Sequence, residues 1–151
     1  MKVYIGSDHA GYDLKRELMD ALHDVSWSDM GTHSKDSVDY PDLADQVCSA
    51  LIKDTSTNSN SKSFGVLICG SGQGMAMRAN KFPEIRAALV YEPEMAALAR
   101  QHNNANVLVL GGRVTSLEKA IEIFKVFATT NFEGGRHSAR VAKLSKRPNT
   151  L

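Results

Sequence analysis

Phe64-Gly65-Val66-Leu67-Ile68-Cys69-Gly70-Ser71-Gly72-Gln73-Gly74 passes from a run without a polar side chain into glycines at alternate positions. A short apolar run bounded by turn residues reads as a strand buried on both faces, the habit of parallel sheets covered by helices. The glycines then turn the chain into a short helix through Asn80 and leave backbone N–H groups free at its N-terminus, a cradle for an anion or a developing oxyanion. No Gly-Lys-Ser/Thr follows, so this is not a nucleotide P-loop. The Gly70, Gly72, Gly74 spacing is not the dinucleotide fingerprint, and Cys69 stands where a Gly-x-Ser-x-Gly elbow needs its first glycine. A tight turn without a ligand is the plain alternative.

Working outward, apolar runs keep alternating with amphipathic segments. Val3-Tyr4-Ile5 is a brief strand ending at Gly6-Ser7-Asp8-His9, and Leu14, Leu18 and Leu22 give Gly11 to Asp24 one core-facing helical stripe. Val25 to Met30 is a weak strand ending at Gly31. Asp42 is expected to cap a helix whose buried face is Leu43, Val47, Ala50 and Leu51. Asp54 to Ser63 is polar and of low complexity, and reads as a mobile surface loop inside one domain.

Beyond the glycine loop, Arg86 to Tyr91 and Val107 to Leu110 are strands, with Pro93 opening the helix between them. Thr115 and Glu118 have capping-box spacing ahead of a helix buried through Ala120, Ile121, Phe124 and Phe127. A last helix is expected from about Gly135 to Lys146. These βα units predict a single domain over residues 1–151. Its fold class is α/β, a Rossmann-like three-layer sandwich with a five-stranded parallel sheet and a projecting C-terminal helix.

Composition fits a soluble globular chain. Apolar residues make up 42% of the 151 residues and charged ones 23%, with a net charge of +1, so no global pull toward nucleic acid or membrane follows. Positive charge gathers only from Arg136 to Arg147. No leader-like segment opens the chain and no apolar run could span a bilayer, and two cysteines are too few for a disulfide framework. The chain therefore reads as cytoplasmic with both thiols reduced.

Ligands of such sheets bind beyond the carboxyl ends of the strands. Asp8 and His9 follow the first strand, Cys69 the third, His102 and Asn103 the fourth with its helix, and Arg113 the fifth. One rim is thus expected to collect a thiol, two imidazoles, a carboxylate, an amide and a guanidinium. Each has a bland reading: a core cysteine, which suits Cys48 better than Cys69, a loop histidine for His9, or a helix C-cap for His102. Arg136 and Arg140 lie four apart on one helical face and suit a phosphate, although a solvated basic face is their default. His-x-x-x-His and Cys-x-x-Cys spacings are absent, leaving a long-range cluster of Cys69, His9 and His102 as the remaining metal candidate. A Cys–His thiol hydrolase and a nucleotide-binding module are the alternatives in other functional classes.

The ordered motifs Gly6-Ser7-Asp8-His9-Ala10-Gly11, Asp39-Tyr40-Pro41-Asp42, Cys69 to Met75, Ala79-Asn80-Lys81, Arg86-Ala87-Ala88, His102 to Val107 and Glu133 to His137 cover nearly the whole chain. They resemble the ribose-5-phosphate isomerase type B family, which includes galactose- and allose-6-phosphate isomerases. The resemblance implies interconversion of ribose 5-phosphate and ribulose 5-phosphate in the pentose phosphate pathway. It implies a proton transfer through a cis-enediolate, with no metal or cofactor. By resemblance Cys69 moves the proton, His102 opens the sugar ring with Asp8 accepting a hydroxyl, and Ser71 relays a proton between substrate oxygens. The N–H groups of Gly70, Ser71, Gly72, Gln73 and Gly74, with Asn103, would hold the enediolate. His9, Arg113, Arg136 and Arg140 would grip phosphate, and Tyr40 would line the sugar pocket. Relatives that lack the cysteine use a glutamate where this chain has Met75, so this chain should depend on Cys69. The family further implies a homodimer or dimer of dimers with shared sites, the C-terminal arginines coming from the partner.

Overall fold

The computed structural model describes residues 1–58 and 60–146. Five strands, β1 (Lys2–Ser7), β2 (Ser26–Asp29), β3 (Phe64–Cys69), β4 (Ala87–Leu89) and β5 (Val107–Gly111), alternate with helices. These are α1 (Tyr12–Ala21), α2 (Tyr40–Thr57), α3 (Gln73–Ala79), α4 (Pro93–Asn103), α5 (Leu117–Thr129) and α6 (Ser138–Leu144). The sheet order is β2-β1-β3-β5-β4 and every pairing is parallel. The expected α/β sandwich with a five-stranded parallel sheet is therefore what the chain forms.

Alternation along the strands builds one core on each face. Val3, Ile5, Val66, Ile68, Leu108 and Leu110 meet Leu14 and Leu18 of α1 and Phe124 and Phe127 of α5. Tyr4, Leu67, Cys69, Val107 and Val109 meet Leu43, Val47 and Leu51 of α2 and Met75 and Ala79 of α3. All six residues of β3 are buried, as its unbroken apolar run requires. Strand order reverses between β1 and β3, so a crevice opens beyond their carboxyl ends, where Asp8 and Cys69 lie.

Several local boundaries differ from expectation. Asp39, not Asp42, precedes the first turn of α2, because Pro41 needs no N–H donor there and fits inside the helix start. The helix also runs on to Thr57, claiming the first part of the supposed loop. The hydroxyls of Thr55, Ser56 and Thr57 donate back to carbonyls of the preceding turn at 2.9–3.0 Å, which lets a Ser/Thr run stay helical. Ser116 rather than Thr115 caps α5, accepting from the Lys119 N–H at 3.3 Å. The final helix is split: Gly135–His137 is a 3-10 turn and only Ser138–Leu144 is α-helical. Arg136 and Arg140 therefore do not share one regular helix. No residue of α6 is buried, in keeping with a helix that stands off the core. Arg147 lies outside the described residues. Among the described residues no helix is long and apolar enough to cross a membrane.

Candidate active site

A cleft of about 430 Å³ sits at the β1/β3 switch point. Cys69 ends β3 at its floor and is 5% exposed. Its carbonyl accepts from the Gly112 N–H at 2.7 Å, which ties the strand end to the loop after β5. That loop brings Arg113 into the same cleft, its guanidinium about 3.5 Å from the place a Cβ on Gly70 would occupy.

Asp8 forms the opposite wall. Its Oδ1 accepts from the N–H groups of Ala10 at 2.9 Å and Gly11 at 3.0 Å, which fixes the carboxylate in a turn. Next to it, His9 Nδ1 accepts from the Val38 N–H at 3.4 Å, so the neutral ring carries its proton on Nε2, ready to donate. Tyr40, the first residue of α2, closes the third side. Only glycine permits that approach at position 74, since a Cβ there would lie 2.6 Å from the Tyr40 ring. Gly72 is the left-handed residue that starts α3, with φ of +82°, a conformation natural only to glycine. Gly70, Ser71 and Gly74 line the cleft, whereas Gly72 and Gln73 do not. The Ser71 hydroxyl accepts from the Gln73 N–H at 3.4 Å.

Outer contacts hold this wall in place. Tyr91 Oη donates to the Ser71 carbonyl at 2.8 Å. Sequence reasoning missed that role, although Tyr91 stood at the predicted end of the fourth strand and the rim rule applied to it. Lys15, fully buried, reaches Asp29 Oδ1 at 2.5 Å and the Thr32 carbonyl at 2.7 Å. Asp29 also accepts from the Gly31 N–H at 3.0 Å, and Gly31 and Thr32 pair with Ser7 at 2.8 Å on either side. The segment before Asp8 is thereby braced from below. Burial pushes the Lys15 ammonium below the ordinary lysine range, against the pull of Asp29. Met75, where some relatives were expected to carry a base, is fully buried in the core.

The second half of the expected site lies elsewhere. His102 and Asn103 form the last turn of α4, not a loop after it. A helix connecting parallel strands returns the chain to their N-terminal ends, and the 11 residues of α4 span about 16 Å. Asn103 accordingly borders a separate cleft with Arg86 and Ala87, at the start of β4, and with Leu144. The expectation that one rim collects both imidazoles is corrected by that reversal. His102 stacks on His137, with ring centroids 4.4 Å apart and planes 13° from parallel. Burial first, then the neighbouring His102, lowers the His137 pKa. Arg136 and Arg140 are exposed close by. The conceived cluster of Cys69, His9 and His102 does not assemble within the described chain. His102 instead groups with Glu133 and His137, their potential ligand atoms all within 4.8 Å of one another.

Fold and cleft together define a small α/β protein with a polar cleft at the switch point of a parallel sheet. The family model for ribose/galactose isomerase matches residues 3–144. The ribose-5-phosphate isomerase B of Escherichia coli K12 is 41% identical over 146 residues, covering 95% of this chain and 94% of that one. The crystal structure of a ribose 5-phosphate isomerase from Thermotoga maritima matches with a TM-score of 0.89 and 44% identity, over 95% of this chain and 97% of that one. The structure of the Mycoplasma genitalium ribose-5-phosphate isomerase B with bound ribulose-5-phosphate matches at 0.85 and 41%, over 95% and 93%. The chain belongs to the ribose/galactose isomerase family. It is a sugar phosphate isomerase of that family.

Proposed function

We propose that residues 1–151 act as a single catalytic domain that interconverts ribose 5-phosphate and ribulose 5-phosphate. The observation that carries this reading is a thiol at a strand end, Cys69, facing a carboxylate, an imidazole and a guanidinium across one small cleft. The bound ribulose-5-phosphate of the Mycoplasma genitalium relative supports the five-carbon substrate.

In this reading the Cys69 thiolate takes the proton from C2, and the bond electrons form the C1–C2 double bond of a cis-enediolate. Cys69, whose thiol proton exchanges with solvent, then protonates C1 as the electron pair on O2 closes the C2 carbonyl, so nothing is oxidised or reduced overall. Ser71 relays the hydroxyl proton between O1 and O2. The N–H groups of Gly70, Ser71 and Gly74, which line the cleft at the turn into α3, bind the developing oxyanion. His9 donates to the phosphate through Nε2, and Arg113 supplies a fork of donors to it. Tyr40 packs against the sugar.

His102, Asn103, Arg136 and Arg140 complete the site from a second copy of the chain. Within one copy they lie toward the other end of the sheet, so a two-fold partner is the economical way for them to reach a Cys69 cleft. There His102 opens the ring with Asp8, Asn103 joins the oxyanion donors, and the arginines close over the phosphate. A base placed in this way contributes about 10²–10⁴ in rate.

The test is a rate measurement with ribose 5-phosphate beside galactose 6-phosphate and allose 6-phosphate. The five-carbon sugar should have the highest kcat/KM. Preference for either six-carbon sugar would keep the chemistry and overturn the substrate.

A further inference from the structure

At the end of the sheet opposite Cys69, a second cleft of about 400 Å³ opens where β3, β4 and β5 begin. Phe64, the first residue of β3, borders it, so it lies about 17 Å along that strand from Cys69. Its walls carry Arg86 and Arg100, both half-buried. Arg86 Nε donates to the Asn104 carbonyl at 2.7 Å, and Arg100 Nη1 donates to the next carbonyl, that of Ala105. The left-handed turn at Asn104, with φ of +48°, thus gathers two guanidiniums onto successive peptide groups.

Both side chains are held in place. The Arg86 N–H donates to Asn106 Oδ1 at 2.7 Å, and its Nη1 makes a long bond to the Glu84 carbonyl at 3.4 Å. Arg100 lies over the Phe127 ring, 5.3 Å from its centroid, with Nε donating to the Thr130 carbonyl at 3.2 Å. Among the described residues the Nη2 group of each arginine has no hydrogen-bond partner. Neither arginine makes an ion pair among those residues. The carbonyl ends of α4 and α5 bring about half a negative charge each, which offsets only about half of the positive charge. Lys62 and Glu84, at the exposed mouth, cancel each other. Burial pushes both guanidiniums below the ordinary arginine range, and Arg86 lowers Arg100 further. Two half-buried cations side by side are costly unless an anion joins them.

We propose that Arg86 and Arg100 form a binding site for a phosphate dianion, either free or carried by a small metabolite. Phosphate suits the pair because its several oxygens can accept from two planar forks at once. Arg100 and the C-cap Asn104 lie four apart on one face of α4, whereas His102 is about 200° round the helix from Arg100. Arg136 and Arg140 do not border this cleft. The site is therefore separate from the surface assigned to a partner's Cys69 cleft.

Arginine side-chain ¹H–¹⁵N NMR of the full chain, titrated with sodium phosphate at constant ionic strength, tests the site without reference to activity. The Nε–H resonances of Arg86 and Arg100 should shift together and saturate. They should do so equally in Arg113→Ala, in which the Cys69 cleft loses its own fork of donors. Asn131→Asp places a carboxylate at the exposed rim of the cleft and touches none of the bonds made by the two arginines. That variant should bind phosphate about tenfold more weakly, or worse. Glycerol 3-phosphate tells the two sources apart: tighter binding than inorganic phosphate marks the phosphate of a metabolite, and equal or weaker binding marks the free ion. Shifts that grow without saturating, that chloride reproduces at the same ionic strength, that vanish in Arg113→Ala, or that keep their midpoint in Asn131→Asp overturn the site.

Discussion

Replacing Cys69 with alanine separates chemistry from folding. The side chain contributes only its sulfur to the α2/α3 face of the core, where it is 5% exposed. Its ladder partner Gly111 and the bond from the Gly112 N–H both involve backbone, which the substitution leaves alone. Loss of one buried heavy atom costs about 1 kcal/mol, near the lower end of large-to-small core changes. For a chain of this size that lowers Tm by about 2–4 °C. Against a total stability of about 5–15 kcal/mol, the folded fraction at 25 °C stays close to one. The catalytic effect is larger: a lost general base removes about 10²–10⁴ in rate, which is about 3–5 kcal/mol of barrier. Initial rates with saturating ribose 5-phosphate, a thermal melt and calorimetry with a phosphorylated sugar acid should therefore diverge. Turnover should collapse, Tm should move by a few degrees, and ligand affinity should stay within a few fold. Near-normal kcat in a folded Cys69→Ala protein would refute the assignment of the base.

Mixing inactive Cys69→Ala and His102→Ala chains under conditions of subunit exchange should restore about a quarter of wild-type activity, because half the dimers are mixed and each of those carries one intact shared site. No recovery after exchange verified by mass spectrometry would place both residues in one chain's site. Lys15→Met should destabilise toward the lower end of the about 3–5 kcal/mol lost on breaking a buried pair, since Asp29 keeps some contact with water. A urea midpoint equal to wild type would contradict that. Burial pushes the Cys48 thiol from an ordinary 9.0 up to about 12, so the folded chain keeps a proton that the unfolded chain releases. Its stabilising contribution is whole below pH 9 and fades as pH rises toward 12, and urea melts of Cys48→Ala should fall less steeply over that window than those of wild type.

The central strand and its glycine loop were legible because their signals are local. An uninterrupted apolar run can only be buried on both faces, and alternate glycines can only be a turn. Asp8, His9, Cys69 and Arg113 came together as expected, since each directly follows a strand and strand ends share a rim. His102 was misplaced by the same rule, because a helix stood between it and its strand and carried it back toward the opposite end. The start of α2 was misread through Asp42 when Pro41 held the better signal. Its far end was hidden because serine and threonine bond to the helix that they were expected to end. Tyr91 and Lys15 act through single long-range hydrogen bonds, and the stacking of His102 on His137 joins distant parts of the chain. No local pattern announces such contacts.

The claim that a proton is carried through an enediolate is tested most directly by proton NMR of ribose 5-phosphate with the purified protein in D₂O and EDTA. The account predicts ribulose 5-phosphate with deuterium entering at C1, because a thiol base exchanges its proton with solvent during turnover. Ketose formed with the original hydrogen wholly retained would contradict it and point to a hydride shift.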